Sequence, residues 1–180
     1  IFGNHQGFCL PQGQGEAYGT EFFLQKKTGR FTGWLGYTLS WAWRQLDEVN
    51  LGRKYPFRYD RRHDIELTGT YELSPRTRFS ATWVYGTGNA VTFGTSQYAQ
   101  IYPRVTSANA PPWSSFYNSE LYVPERNNFR YPAYHRLDVG FDFTKEKKHH
   151  TRTWSIGAYN AYNRANAFYL FLDRSTTYYG

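Results

Sequence analysis

The sequence predicts an all-β protein: an antiparallel up-and-down transmembrane β-barrel, of which this chain supplies about six to seven meandering strands. Three observations predict it. Apolar and polar side chains alternate with a period of two through several stretches of roughly ten residues, long enough to cross a hydrocarbon layer at a steep tilt. The connections between these stretches alternate without exception, short at 28–30, long at 45–61, short at 74–76, very long at 86–133 and short at 145–150. Aromatic residues make up 21% of the 180 residues, with Tyr 17, Phe 14 and Trp 6. A core of this size has no room for so many rings, and rings with a polar handle suit the boundary between membrane and water.

Residues 1–15 read as loop, with Gly3, Gly7, Pro11, Gly13 and Gly15 among polar residues, so order is expected from Glu16. A first hairpin covers 16–44. Tyr18, Thr20, Phe22 and Leu24 oppose Gly19, Glu21, Phe23 and Gln25, Thr28-Gly29-Arg30 turns the chain, and Phe31, Gly33, Leu35, Tyr37, Leu39, Trp41 and Trp43 form the apolar face of the return strand. Residues 45–62 read as a solvated connection whose opposite charges pair.

The hairpin 62–85 carries the clearest alternation. Ile65, Leu67, Gly69, Tyr71 and Leu73 oppose Asp64, Glu66, Thr68, Thr70 and Glu72; after Ser74-Pro75-Arg76, Phe79, Ala81, Trp83 and Tyr85 oppose Arg78, Ser80, Thr82 and Val84. Proline fixes its own φ and lacks an N–H, so it ends one strand and starts the next. Residues 86–133 show no sustained alternation and contain Pro103, Pro111, Pro112, Pro124 and Pro132. They read as a mostly irregular extracellular loop, and loops this long tend to be functional.

A third hairpin spans 134–163, with Leu137, Val139, Phe141 and Phe143 opposing Arg136, Asp138, Gly140 and Asp142, a charged turn at 145–150, and Trp154, Ile156 and Ala158 beyond it. Residues 164–180 read as loop or partial strand. Short turns on one side and long loops on the other are expected when the two ends of a barrel face different compartments, periplasmic and external. On that reading the strands from Ala17, His63 and Tyr134 run inward and those from Phe31 and Arg78 run outward.

Composition narrows the alternatives. A formal charge of +7 with abundant rings could suit single-stranded nucleic acid. Many of the cations, however, sit at turns and strand ends (Lys26, Lys27, Arg30, Arg76, Lys145, Lys147, Lys148), so no nucleic-acid partner is expected. Mean hydropathy is -0.72. That is compatible with a barrel, because the polar half of each alternating strand cancels the apolar half. Cys9 is the single cysteine and supports neither an internal disulfide nor a zinc site. The chain opens at Ile1, contains no methionine and is expected to be part of a longer protein, since these strands are too few to close a barrel around a solute.

Several segments resemble the late barrel strands, the C-terminal part of the β-barrel, of TonB-dependent outer-membrane receptors of the Bacteroidetes type. They are Pro56-Phe57-Arg58-Tyr59-Asp60-Arg61-Arg62-His63-Asp64, Tyr71-Glu72-Leu73-Ser74-Pro75, Trp83-Val84-Tyr85-Gly86-Thr87-Gly88, Arg126-Asn127-Asn128 with Tyr131-Pro132, His135-Arg136-Leu137-Asp138 and Asn160-Ala161-Tyr162-Asn163-Arg164. The resemblance implies a barrel of about 22 strands with a plugged lumen, in the outer membrane of a Gram-negative bacterium. It implies import of a bulky nutrient, a siderophore-type metal chelate or a glycan. The implied partners are outer-membrane lipid, a TonB-type inner-membrane energy complex, the transported ligand and a surface lipoprotein.

No catalytic constellation emerges, and neither an enzyme nor a cofactor is expected. Asp138 and Asp142 lie four residues apart on one strand face, about 13 Å by strand rise and beyond the spacing of glycosidase carboxylate pairs. Gly86-Thr87-Gly88 lacks the spacing and lysine of a phosphate loop, and His149-His150 reads as solvated turn. Recognition is expected in the long loop. There Trp113, Phe116, Tyr117, Tyr122, Phe129 and Tyr131, interleaved with Arg104, Arg126 and Arg130, offer stacking planes and fixed donors. Trp113, Tyr117, Tyr122, Arg126, Arg130 and Tyr131 are the candidate substrate-binding residues. Glu66, Arg78, Arg136, Asp138 and Asp142 are the candidate lumen-facing residues, with a charge ladder between adjacent strands as their bland reading. A passive porin or structural barrel, and a secreted β-sandwich that binds carbohydrate through exposed rings, remain alternatives.

Overall fold

The computed structural model describes residues 12–101 and 117–170. Over these residues the chain is all-β, apart from one short 3-10 turn at Asn50–Gly52. Six long strands form one antiparallel sheet: β1 (Gly13–Lys26), β2 (Phe31–Leu46), β4 (His63–Ser74), β5 (Thr77–Gly86), β10 (Tyr134–Lys147) and β11 (His150–Ala158), in the order β1-β2-β4-β5-β10-β11. Strand β3 (Tyr55–Pro56) adds to the far end of β2. Among the described residues two small ribbons lie outside this sheet, β6 (Ala90–Val91) with β9 (Phe129–Arg130) and β7 (Ser96–Ile101) with β8 (Tyr117–Tyr122).

The register carries the alternation of single strands across the whole sheet. Residues directly opposite in an antiparallel pair share a face. Leu24, Leu35, Leu67, Trp83 and Leu137 therefore form one apolar row, and Phe31, Tyr71, Phe79, Phe141 and Ile156 another. The opposite face carries Trp34, Thr68, Thr82 and Asp138 in one row and Glu72, Arg78, Asp142 and Ser155 in another. A slip of one residue would exchange the two faces, so the pattern pins the register.

Among the described residues no second layer covers either face. Tyr55 and Ala90 are the only buried hydrophobic residues among those described, while Leu67 is 46% exposed, Phe141 38% and Ile156 67%. The sheet is open rather than closed: β1 and β11 are its edges, and every residue of both is exposed. Its outline is skewed. Strand β2 starts at the row of Phe31, whereas β4 and β5 continue past that row to Ser74 and Thr77, and β10 and β11 continue to Lys147 and His150.

Both tight turns near the first strands have side-chain closures. Gly29 takes a left-handed φ of 92° that a side chain would resist, and Lys26 Nζ donates to the carbonyls of Thr28 (2.7 Å) and Phe31 (3.1 Å). The register of β4 on β5 shifts between Glu72 and Ser74, a bulge that frees carbonyls. Arg30 satisfies two of them, donating to Glu72 O at 3.2 Å and Leu73 O at 3.1 Å.

Several boundaries differ from the sequence-based expectation. The first strand begins at Gly13, not Glu16, because β1 pairs with β2 as far as Leu46. The charged turn expected at 145–150 shrinks to Lys148 and His149, since Lys145, Glu146 and Lys147 extend β10 against Arg152, Thr151 and His150. The segment 86–133, expected to be mostly irregular, contains the strands β6 to β9. Their partners lie far apart in sequence, so no local period announces them. Residues 164–170 form no strand, and 171–180 lie outside the described residues.

Candidate functional site

The short turns lie at one end of the sheet, and the connections 47–62 and 87–133 lie at the other. The long-connection end is held by a buried carboxylate. Asp60 is 1% exposed. Its Oδ1 accepts from the Ala42 N–H at 2.7 Å, and its Oδ2 accepts from Arg62 Nη2 at 3.3 Å and from Arg130 Nη2. Arg130 Nη1 also donates to the carbonyls of Asp60 (2.8 Å) and Gly88 (3.3 Å). Arg62 donates to Ser40 O at 3.3 Å and sits over the Trp41 ring at 4.6 Å. One anion thus ties β2, the first long connection and the second long connection together. Burying a carboxylate is costly unless its lone pairs are filled in this way.

Asparagine side chains complete the tie. Asn127 takes a left-handed φ of 56° and donates to Pro56 O at 2.8 Å, while its N–H donates to Thr92 Oγ1 at 3.0 Å. The Asn128 amide bonds both backbone groups of Phe93 at 2.9 Å, as a neighbouring strand would. Asn50 does the same for Arg126, accepting from its N–H at 2.7 Å and donating to its carbonyl at 3.2 Å. Arg53 pairs with Glu125 at 2.7 Å.

Gly88 is required by close approach rather than by dihedral freedom. A Cβ built there would lie 1.6 Å from the Tyr131 carbonyl oxygen. Gly88→Ala is therefore expected to part residues 88–93 from 128–131 and to raise amide hydrogen exchange at Tyr131 and Phe93 at least tenfold, while exchange within β4 and β5 stays unchanged. Equal protection in the variant would show that this approach is not a constraint.

The predicted recognition residues divide. Arg130 and Tyr131 belong to the tie: the guanidinium is spent on Asp60 and Gly88, and the Tyr131 N–H on Asn89 O at 3.0 Å. Tyr122 and Arg126 are exposed, and the Arg126 side chain has no ion pair among the described residues. Exposed Tyr59 with Arg58 over its ring at 5.8 Å lies on the first long connection. Tyr117 begins β8, and Trp113, Phe116 and Arg104 lie outside the described residues.

All five predicted polar-face residues share one face of the sheet. Arg136 pairs with Asp138 at 3.0 Å, bonds Tyr134 Oη at 3.0 Å and Tyr159 Oη, and stacks over the Tyr159 ring at 4.2 Å. Asp138 also accepts from the Asn160 N–H at 2.9 Å, Asp142 accepts from Ser155 Oγ at 2.6 Å, and Arg78 lies 3.9 Å from Glu72. Most of these charges are spent on neighbours. Glu66 has no hydrogen bond or ion pair among the described residues, and neither has Glu21 on the same face.

Two features were missed from the sequence. The residues around Asp60 read there as a solvated charge run, because nothing local marks one carboxylate of that run as buried. Phe23 and Trp34, whose rings lie 6.0 Å apart on the polar face, form an aromatic platform beside Glu21 and Glu66, with Phe23 62% exposed. The signal was present, since Phe23 and Trp34 are the bulky rings that break the alternation. Among the described residues no three His, Cys, Asp or Glu side chains gather as a metal site would require. The geometry organises loops above a charged, ringed surface.

The fold and site define an open, single-layer, all-β sheet protein with a tied loop end. Comparison with protein-family models, with curated proteins and with solved structures finds no match to this chain.

Proposed function

We propose that this chain is part of the wall of an outer-membrane β-barrel receptor of the TonB-dependent type, which admits a bulky nutrient by energy-coupled opening. One observation carries the reading: six long strands in a single layer present an uncovered apolar face rich in rings on one side and a charged face on the other. In water such a face would be covered, because contiguous apolar patches beyond a few hundred Å² are rare on soluble monomers. Hydrocarbon is the medium that leaves it uncovered without penalty. The skewed outline supports the same reading, since closing a sheet into a barrel requires the strands to be staggered. Unpaired edges at β1 and β11 are where further wall strands would add.

Within this reading the polar face lines the lumen, and the tied loops hold Tyr122, Arg126, Arg58 and Tyr59 at the external mouth. Phe23, Trp34, Glu21 and Glu66 add a second ligand surface lower in the wall. The bulk nutrient is a metal chelate or a glycan.

The decisive experiment is fractionation of cells that make the protein. It is expected in the outer-membrane fraction and released only by detergent; folded, monodisperse protein recovered without detergent would overturn the reading. Uptake of the nutrient should also stop when the inner-membrane proton gradient is collapsed. Continued uptake would leave a passive barrel in its place.

A further inference from the structure

At the short-turn end, a cavity of about 360 Å³ is lined by Arg76, Thr77, Phe143, Thr144, Lys145, Lys147, Arg152 and Trp154. Its chemistry divides sharply. Register puts Thr77, Phe143, Lys145, Arg152 and Trp154 on the apolar face of the sheet, at its lower margin. Arg76, Lys145, Lys147 and Arg152 make no ion pair among the described residues, and Arg152 lies over the Trp154 ring at 4.6 Å. Of the other described arginines, Arg53, Arg61, Arg62, Arg78, Arg130 and Arg136 each have a carboxylate within reach and Arg30, Arg44, Arg58, Arg126 and Arg164 do not, so what sets this end apart is four cations without an ion pair lining one cavity. Four cations crowded around one cavity without an anion repel one another, and that repulsion is relieved by a bound anion.

Directly above the cations, the same face continues through Phe143, Trp154, Phe141 and Ile156, all of them exposed. Phe79 packs against Phe141 at 4.9 Å, and Phe141 stacks on Phe143 at 6.4 Å. A ligand seated here meets positive charge at one end and a strip of rings at the other.

We propose that this cavity is a binding site for an anionic phospholipid, its phosphodiester held by Arg76, Lys145, Lys147 and Arg152 and its acyl chain laid along Phe143, Trp154 and Ile156. The site rests on the wall reading above and deepens it: a headgroup clamp fixes the height of the β10–β11 hairpin against the membrane margin. Basic clusters beside an apolar span recognise anionic headgroups, each cation adding attraction worth roughly a fivefold change in affinity.

The test is calorimetric titration of the detergent-purified protein with monomeric dihexanoyl phosphatidylglycerol, with phosphatidylcholine of the same chain length and inorganic phosphate as separate arms. The expected result is saturable binding of phosphatidylglycerol at least tenfold tighter than either. Each of Lys145→Gln, Lys147→Gln and Arg152→Gln should weaken it about fivefold, while Lys148→Gln, in the neighbouring turn, leaves it unchanged. Equal affinity for phosphatidylcholine overturns the role of charge, and equal affinity for inorganic phosphate overturns the role of the acyl strip. A loss caused by Lys148→Gln as large as the others reduces the site to nonspecific charge and also overturns it. Should the protein prove soluble without detergent, the wall reading fails, and the same titration still judges the cavity.

Discussion

Asp60→Ala is expected to cost about 3 kcal/mol and to free both long connections from the sheet. The substitution leaves Arg130 and Arg62 without their shared anion and the Ala42 N–H without its acceptor. Breaking a buried pair by removing one partner ordinarily costs about 3–5 kcal/mol. The lower end applies here because the Arg130 and Arg62 side chains keep some contact with water. Asp60→Asn retains an acceptor for Ala42 and should cost about half as much. Denaturant unfolding of the protein in micelles reads the loss. Limited proteolysis should show new cleavage within 88–101 and 117–131 in the alanine variant, with β4 and β5 intact. A cost below about 1 kcal/mol, the range of a surface pair, would mean that the loops are held by their asparagine clamps and not by the carboxylate. Arg130→Gln combined with Asp60→Ala should cost less than the sum of the two single variants, because both remove the Arg130–Asp60 pair, while Arg130→Gln alone also gives up the bonds to the carbonyls of Asp60 and Gly88.

Leu67→Arg is the second large effect, and it separates the two environments of the sheet. Leu67 stands at the middle of the apolar row between Leu35 and Trp83, already 46% exposed. On a water-facing sheet a half-exposed leucine can become arginine for well under 1 kcal/mol. Facing hydrocarbon at mid-depth, arginine costs about 2–4 kcal/mol. Glu66→Arg, one residue away on the opposite face, is the internal control: Glu66 has no partner to lose and is expected to change stability by less than about 0.5 kcal/mol. Folding into lipid bilayers, followed by reversible unfolding, measures both. Equal small costs for the two variants would place both faces in water and remove the membrane from the account.

Much of the sheet was legible in the residues. Each long strand announces itself because its side chains must leave alternate faces, and a face meeting one medium selects one class of residue at every second position. Within each hairpin the parts of those rows, Leu67 opposite Trp83 and Phe141 opposite Ile156, follow from that rule once the tight turns set the neighbours. The same rule assigned Glu66, Arg78, Arg136, Asp138 and Asp142 to one face, where they stand together. It failed at the strand ends, because backbone pairing continues through Lys145, Glu146 and Lys147 whether or not their side chains are apolar.

The candidate site was legible only in part. Arg126 and Arg130 carry the same chemistry and are four residues apart in sequence. One is presented to solvent and the other is consumed by a buried anion seventy residues away. Nothing in either local sequence distinguishes them. Phe23 and Trp34 were visible as exceptions to the alternation, but their meeting depends on the register of β1 on β2.

The sequence alone determined the all-β class, the long strands and their two faces, because alternation is a local property written every second residue. Tertiary structure alone decided that β2 pairs with β4 and β5 with β10 across the long connections, that Asp60 is the buried one among its charged neighbours, and that Gly88 meets Tyr131. Those contacts join residues with no common period, so they exist only once the chain has brought distant segments to the same end of the sheet.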